Sequence, residues 1–221
     1  MDAYKLPRVE KTQVCPLDEA QIAAFLNVIK GHRYEVFFTV DLFTGMRQGE
    51  IMGLAWDCIN FDNGTLWVKQ QLQRIEGNYK LLPVKNDRAR LITPAPYVIQ
   101  LLQGQKRQQA EWQLKAGAAW DNGRDLVFTD ELGRHLARET VYHNFKRAAE
   151  KAGIGSARFH DLRHSYAVAA LRSGDDIKTV QANLGHHTAA FTLDTYGHVT
   201  ERMKQDSASR MERFIEGVKN L

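Results

Sequence analysis

The stretch "FHDLRHSYA", residues 159–167, gathers His160, Asp161, Arg163 and His164 just ahead of an apolar run. Residues three and four apart share a helical face, so His160, Arg163 and His164 point roughly together. Three chemistries compete for such a face. His160 and His164 have the spacing of the HExxH zinc motif. Against zinc, Asp161 stands where that motif has Glu, Arg163 would set a cation beside the metal, and no obvious third ligand is near. The second reading is a solvated first turn, with Asp161 favoured by the helix dipole. The third is a grip on a phosphate, because the planar fork of an arginine suits two phosphate oxygens and never loses its charge. Within these residues the three stay open.

The elements that would carry these side chains are legible from hydrophobic period and punctuation. "LDEAQIAAFLNVIKG" reads as a helix capped by Asp18, with Gln21 three residues on and Gly31 ending it. "YEVFFTVDLFTG" reads as a buried helix, and "MRQGEIMGLAW" continues after Gly45 as a short one. The period then changes. "GTLWVKQQL", "YKLLPV" and "RLITPA" are short, β-forming and separated by turn-like "RIEGN" and "KNDRA", which predicts a small antiparallel sheet over roughly 56–93. Helical pattern returns over 96–116, 138–152, 161–173, 176–184, 188–196 and 201–218, with "DLVFT" at 125–129 as a short extended piece. The fold class is α+β, mostly helical, with one domain and no clear linker between residues 15 and 200. Trp56, Trp67, Trp112 and Trp120 read most simply as packing residues.

Composition narrows the classes of function. A chain of 221 residues with 43% apolar content can bury a real core. No run approaches 18 consecutive apolar residues, so no membrane span or membrane partner is expected. "MDAYKLPRVEK" lacks the apolar centre of a signal peptide. Cys15 and Cys58 are too few for a disulfide framework, which fits a reducing, cytoplasmic setting. The net charge of +4 and pI of about 9.0 are compatible with a nucleic-acid partner.

Four segments, "LFTGMRQGEIMGLAW" (42–56), "LLPVKNDRARLITPA" (81–95), "FHDLRHSYA" and "NLGHHTAAFTLDTYGHV" (183–199), together resemble the tyrosine recombinase (phage integrase) family. The resemblance runs from about residue 15 to 200 and looks closest to integrases of conjugative transposons and temperate phages. It implies the tyrosine recombinase catalytic-domain fold. The first family arginine falls on Arg47 in "TGMRQGE", with Glu50 as its acidic partner. The hairpin lysine falls on Lys85, and Arg88, Arg90 and Ile92 follow the trend beyond it. "HxxR" is His160 and Arg163, the "LGH" histidine is His186, and the nucleophile is Tyr196 in "LDTYGHV". Asn86 and Asp87 depart from the small hydroxyl residues more usual there, which leaves Lys80 as a rival lysine. His187 offers a second histidine beside His186, and His164 and His198 read as structural or surface residues.

The resemblance implies transesterification at a DNA phosphodiester. Tyr196 attacks phosphorus, the 5′-oxygen leaves, and a 3′-phosphotyrosine conserves the bond so that rejoining needs no ATP. Arg47 and Arg163 clamp the phosphate in place of a metal, and no cofactor is expected. His160 assists the nucleophile and Glu50 orients it. Lys85 is the general acid, because an ordinary lysine titrates near 10.4 and holds its proton at neutral pH. His186 donates to a nonbridging oxygen. Residues 1–13 read as a linker end, 14–200 as the catalytic domain, and 201–221 as a C-terminal helix that either docks on its own domain or, as the resemblance implies, is exchanged between subunits. Met203, Ser207, Met211, Phe214, Ile215 and Val218 form its apolar stripe. Family members usually carry an N-terminal core-binding domain, so this chain reads as a truncated product that grips DNA weakly by itself. The partners implied are double-stranded DNA with attachment or core sites, a synaptic homotetramer formed from free monomers, and an accessory excisionase or DNA-bending protein. The setting implied is a prokaryotic cytoplasm. The alternatives are a type IB topoisomerase, a DNA-binding module with a dead site, and a zinc hydrolase built on His160 and His164.

Overall fold

The computed structural model describes residues 15–85, 88–186 and 199–219. Its helices are α1 (Glu19–Ile29), α2 (Glu35–Thr44), α3 (Gln48–Met52), α4 (Pro96–Ala116), α5 (Arg138–Lys151), α6 (Phe159–Ser173), α7 (Ile177–Leu184) and α8 (Val199–Lys219). The predicted start of α1 is a full capping box. Asp18 accepts from the Gln21 backbone N–H, and the Gln21 side chain accepts from that of Asp18. Helix α2 is apolar nearly all round and sits in the middle of the molecule, as such a helix must. Its Phe37 and Phe38 join Phe25 of α1, Phe145 of α5 and Phe159 of α6 in one aromatic cluster, with Phe145 and Phe159 centroids 5.4 Å apart. The first turn of α6, where the opening histidine lies, is therefore bolted to the core through Phe159.

The strands lie where expected but form two sheets rather than one. β1 (Ile59–Asn60), β2 (Thr65–Val68) and β5 (Arg90–Ile92) pair antiparallel in the order β1-β2-β5, with Leu66 opposite Ile92 and Val68 opposite Arg90. β3 (Gln70–Ile75) and β4 (Asn78–Pro83) make a separate hairpin closed by Glu76 and Gly77, both at positive φ, as a tight two-residue turn demands. The chain leaves the first sheet at Lys69 and lays β3 against α3 instead. Gly53 permits this approach, since a Cβ there would stand 2.6 Å from the Leu72 backbone nitrogen. Trp67 is a correction to the packing expectation. It is 50% exposed and faces outward opposite Leu91 at 53%. The 125–129 piece is extended only as isolated bridges, tied down by Gln105 and Gln109 of α4 through the carbonyls of Leu126 and Val127. Residues 188–196, read as helical, lie outside the described residues. No described helix is long and apolar enough to cross a membrane.

Candidate active site

Gly45 ends α2 in a left-handed conformation (φ 61°), and the chain then runs extended into α3 with Arg47 at its N-cap. Glu50, one turn on, accepts from the Arg47 backbone N–H at 2.9 Å and from Arg47 Nη1 at 2.7 Å. The TGxRxxE spacing thus builds a helix start that holds its own arginine. Arg90 of β5 reaches the same carboxylate with both terminal nitrogens, at 3.1 Å and 2.6 Å. Glu50 was expected to orient His160, and the structure corrects this. Both Glu50 oxygens are taken by Arg47 and Arg90, because α3 and β5 flank the carboxylate.

On α6, Asp161 caps the helix start by accepting from the Arg158 backbone N–H at 2.8 Å, as its place before the apolar run suggested. The second turn is buried. Arg163 is only 2% exposed and donates from Nη1 to the Gly45 carbonyl and from Nη2 to the Leu184 carbonyl, both at 2.6 Å.

Three successive carbonyls at the end of α7 each take a different arginine. Asn183 accepts from Arg90 Nε at 2.6 Å, Leu184 from Arg163, and Gly185 from Arg47 Nη2 at 3.3 Å. A helix C-terminus leaves its last carbonyls without intrahelical partners and carries partial negative charge, so it is a natural socket for guanidinium groups. His186 follows directly. The fold thereby brings Arg47, Arg163 and His186 together from three distant segments.

The electrostatics record the same convergence. Burial lowers the His186 pKa to about 3, helped by Arg163, Arg47, His164 and His160. Burial and the neighbouring His160 lower His164 to about 4. His160 faces the open groove, yet burial of its inner side and the charges of Arg163 and Arg47 lower it as well. These imidazoles are neutral at neutral pH, and a neutral imidazole carries one donor and one acceptor. Burial alone would raise Glu50, but hydrogen bonds and charge from Arg90 and Arg47 outweigh it and hold the carboxyl at about 2. Asp41 of α2 is a residue that sequence reading passed over. It is fully buried, neither carboxyl oxygen has a hydrogen-bond partner among the described residues, and burial raises its pKa far beyond the relief given by Arg163.

The His160 and His164 rings meet edge to face at 4.7 Å, and among the described residues no group of three potential metal ligands forms around them. A groove of about 920 Å³ opens beside them, between the β3–β4 hairpin and the starts of α3, α5 and α6. Arg47, Arg74, Arg138, Tyr142, His143 and His160 line it. Lys85 stands exposed just beyond β4, and no described contact ties it to the arginine cluster. Lys80 is exposed within β4, opposite Gln73. Tyr196, His187 and His198 lie outside the described residues.

This architecture is the fold of tyrosine recombinase catalytic domains. The integrase of transposon Tn1549, solved in complex with transposon right-end DNA, superposes with a TM-score of 0.75 at 22% identity, over 92% of this chain and 68% of that one. The catalytic domain of bacteriophage HP1 integrase gives 0.57 at 18% identity, over 85% and 89%. The phage integrase family model matches residues 16–203, and the chain belongs to that family. A XerC-like tyrosine recombinase of Caldanaerobacter subterraneus is 29% identical over 91% of this chain and 54% of its own length. The ICEBs1 integrase of Bacillus subtilis is 23% identical over 82% and 49%. The chain therefore spans about half the length of these relatives.

Proposed function

We propose that this chain is the catalytic part of a site-specific recombinase that integrates a mobile element by cutting and rejoining DNA through a 3′-phosphotyrosine. The observation that carries the reading is the convergence of Arg47 and Arg163 on the adjoining carbonyls of Gly185 and Leu184, immediately before His186. Two guanidinium groups and a neutral histidine held there suit the three faces of a phosphodiester whose nonbridging oxygens gain charge as phosphorus is attacked. Tyr196 is the nucleophile and Lys85 protonates the leaving 5′-oxygen. His160 sits by the attacking hydroxyl, and Glu50 supports Arg47. The arginine-lined groove receives the duplex, the partner that the DNA-bound Tn1549 integrase supports.

Four copies assemble on two attachment sites from free monomers, in the prokaryotic cytoplasm, with an excisionase or bending protein setting direction. Helix α8 supplies the exchanged contact, since Met211, Phe214, Ile215 and Val218 are exposed on it. The unit that does this runs over residues 14–200, with 1–13 as linker and 201–221 as the exchanged segment.

The test is a nicked duplex built from the DNA bordering the protein's own reading frame. The nick lets the cut strand diffuse away and traps the covalent adduct. Wild-type chain is expected to accumulate a protein–DNA adduct and Tyr196→Phe to form none. An adduct that survives in Tyr196→Phe refutes the nucleophile, and none from wild type refutes the recombinase reading on that DNA.

A further inference from the structure

We propose that Arg90 is a positioning residue that keeps Arg47 available to the phosphate by holding the Glu50 carboxylate. The proposal deepens the recombinase reading and rests on it. The first observation is a charge balance. Glu50 is shared by two arginines, and the side chains of Glu50 and Arg90 are 1% and 9% exposed while that of Arg47 is 31% exposed. The ion at the bottom is thus paired with the arginine beside it, and the surplus positive charge stays with the arginine that lines the groove.

The geometry divides the labour in the same way. Arg90 spans both Glu50 oxygens through Nη1 and Nη2, whereas the Arg47 side chain meets one oxygen through Nη1 alone and turns Nη2 to the Gly185 carbonyl. Arg90 cannot swing away. Its backbone is laddered to Val68 in the sheet, and its Nε is tied to the Asn183 carbonyl at 2.6 Å. Remove it, and a carboxylate shut off from water has Arg47 as its remaining described ion-pair partner. A phosphate arriving at Arg47 would then compete with an anion already 2.7 Å from the guanidinium in a low-dielectric setting, where such pairs are strong. Lysine cannot replace Arg90 fully, because one ammonium does not span two carboxylate oxygens and a carbonyl in one plane.

The experiment compares wild type, Arg90→Met, Arg90→Lys, Glu50→Gln and the double variant Glu50→Gln/Arg90→Met. Single-turnover adduct formation is followed on the nicked duplex described above, and noncovalent affinity on the same duplex without the nick. Arg90→Met is expected to slow adduct formation by about 10²-fold, the scale of one lost phosphate donor, with affinity nearly unchanged. Arg90→Lys loses less. The distinguishing result is the double variant. Neutralising Glu50 frees Arg47 again, so the double variant cleaves about tenfold or more faster than Arg90→Met, a coupling of opposite sign to two simple structural losses. Should Arg90→Met not fold, the double variant is set against Glu50→Gln, and rates within about fivefold support a role through Glu50. Arg90→Met at wild-type rate, or a double variant no faster than Arg90→Met, overturns the proposal while the wild-type adduct still upholds the recombinase reading.

Discussion

At the residue scale the Glu50 carboxylate is the most telling group, because its titration reads out the arginine cluster. Its pKa of about 2 in the folded chain stands below the ordinary 4.5. A carboxyl depressed by folding contributes stability that is present above the unfolded value and lost as pH falls through the folded one. Wild type should therefore exceed Glu50→Gln in stability at neutral pH, by on the order of 3 kcal/mol from the shift alone. That margin should shrink between pH 4.5 and about pH 2. Urea unfolding of both proteins across this window measures it, and a margin that stays constant would show that the ion pairs do not set the titration. The types and spacings of Arg47, Glu50, His160, Arg163 and His186 are all legible in the sequence. The second arginine on Glu50 is not, because Arg90 lies forty residues along the chain and reaches Glu50 only when β5 is laid beside α3.

At the element scale the turn between α2 and α3 does two jobs. Gly45 caps α2 in a left-handed conformation, and its carbonyl receives Arg163. A Cβ at that position would stand 2.4 Å from Tyr166 Cδ1 and 2.8 Å from Leu184 Cδ2, on a backbone that side chains rarely adopt. Gly45→Ala should destabilise the chain by about 2 kcal/mol or more, and adduct formation should fall further than the loss of folded protein explains. Urea midpoints and single-turnover rates on the same preparation check both parts. Helix boundaries are readable because caps and glycines punctuate them: Asp18, Gly45 and Pro96 each mark a real end. The split into two sheets is not, since β3 leaves β2 to lie against α3, an approach that Gly53 leaves room for. No period-2 pattern encodes that choice.

At the scale of the whole molecule the exposed face of α8 is the feature that the proposed exchange between subunits would cover. Met211 and Phe214 are 58% and 66% exposed, an unusual state for large apolar side chains spaced along one helical stripe. A terminal helix given to the next subunit in a head-to-tail ring closes such a face without adding a domain. Deletion of residues 201–221 is expected to abolish higher-order assembly on DNA while leaving the melting temperature almost unchanged. Native gel shifts beside thermal melts separate the two. A large fall in melting temperature with intact assembly would place the helix on its own domain instead.

The chain by itself determined most of the described helices, the place of the strands and a set of candidate residues for holding a phosphate, because caps, periods and motif spacings are local. Local information also left "FHDLRHSYA" open to zinc, solvent or phosphate. Only tertiary structure decided that Arg163 points inward to the Gly45 and Leu184 carbonyls, that Arg47 meets it at the end of α7, and that Arg90 spans the Glu50 carboxylate beside Arg47. Those contacts join segments distant in sequence, and the burial that makes them strong exists only once the aromatic core has closed around α2.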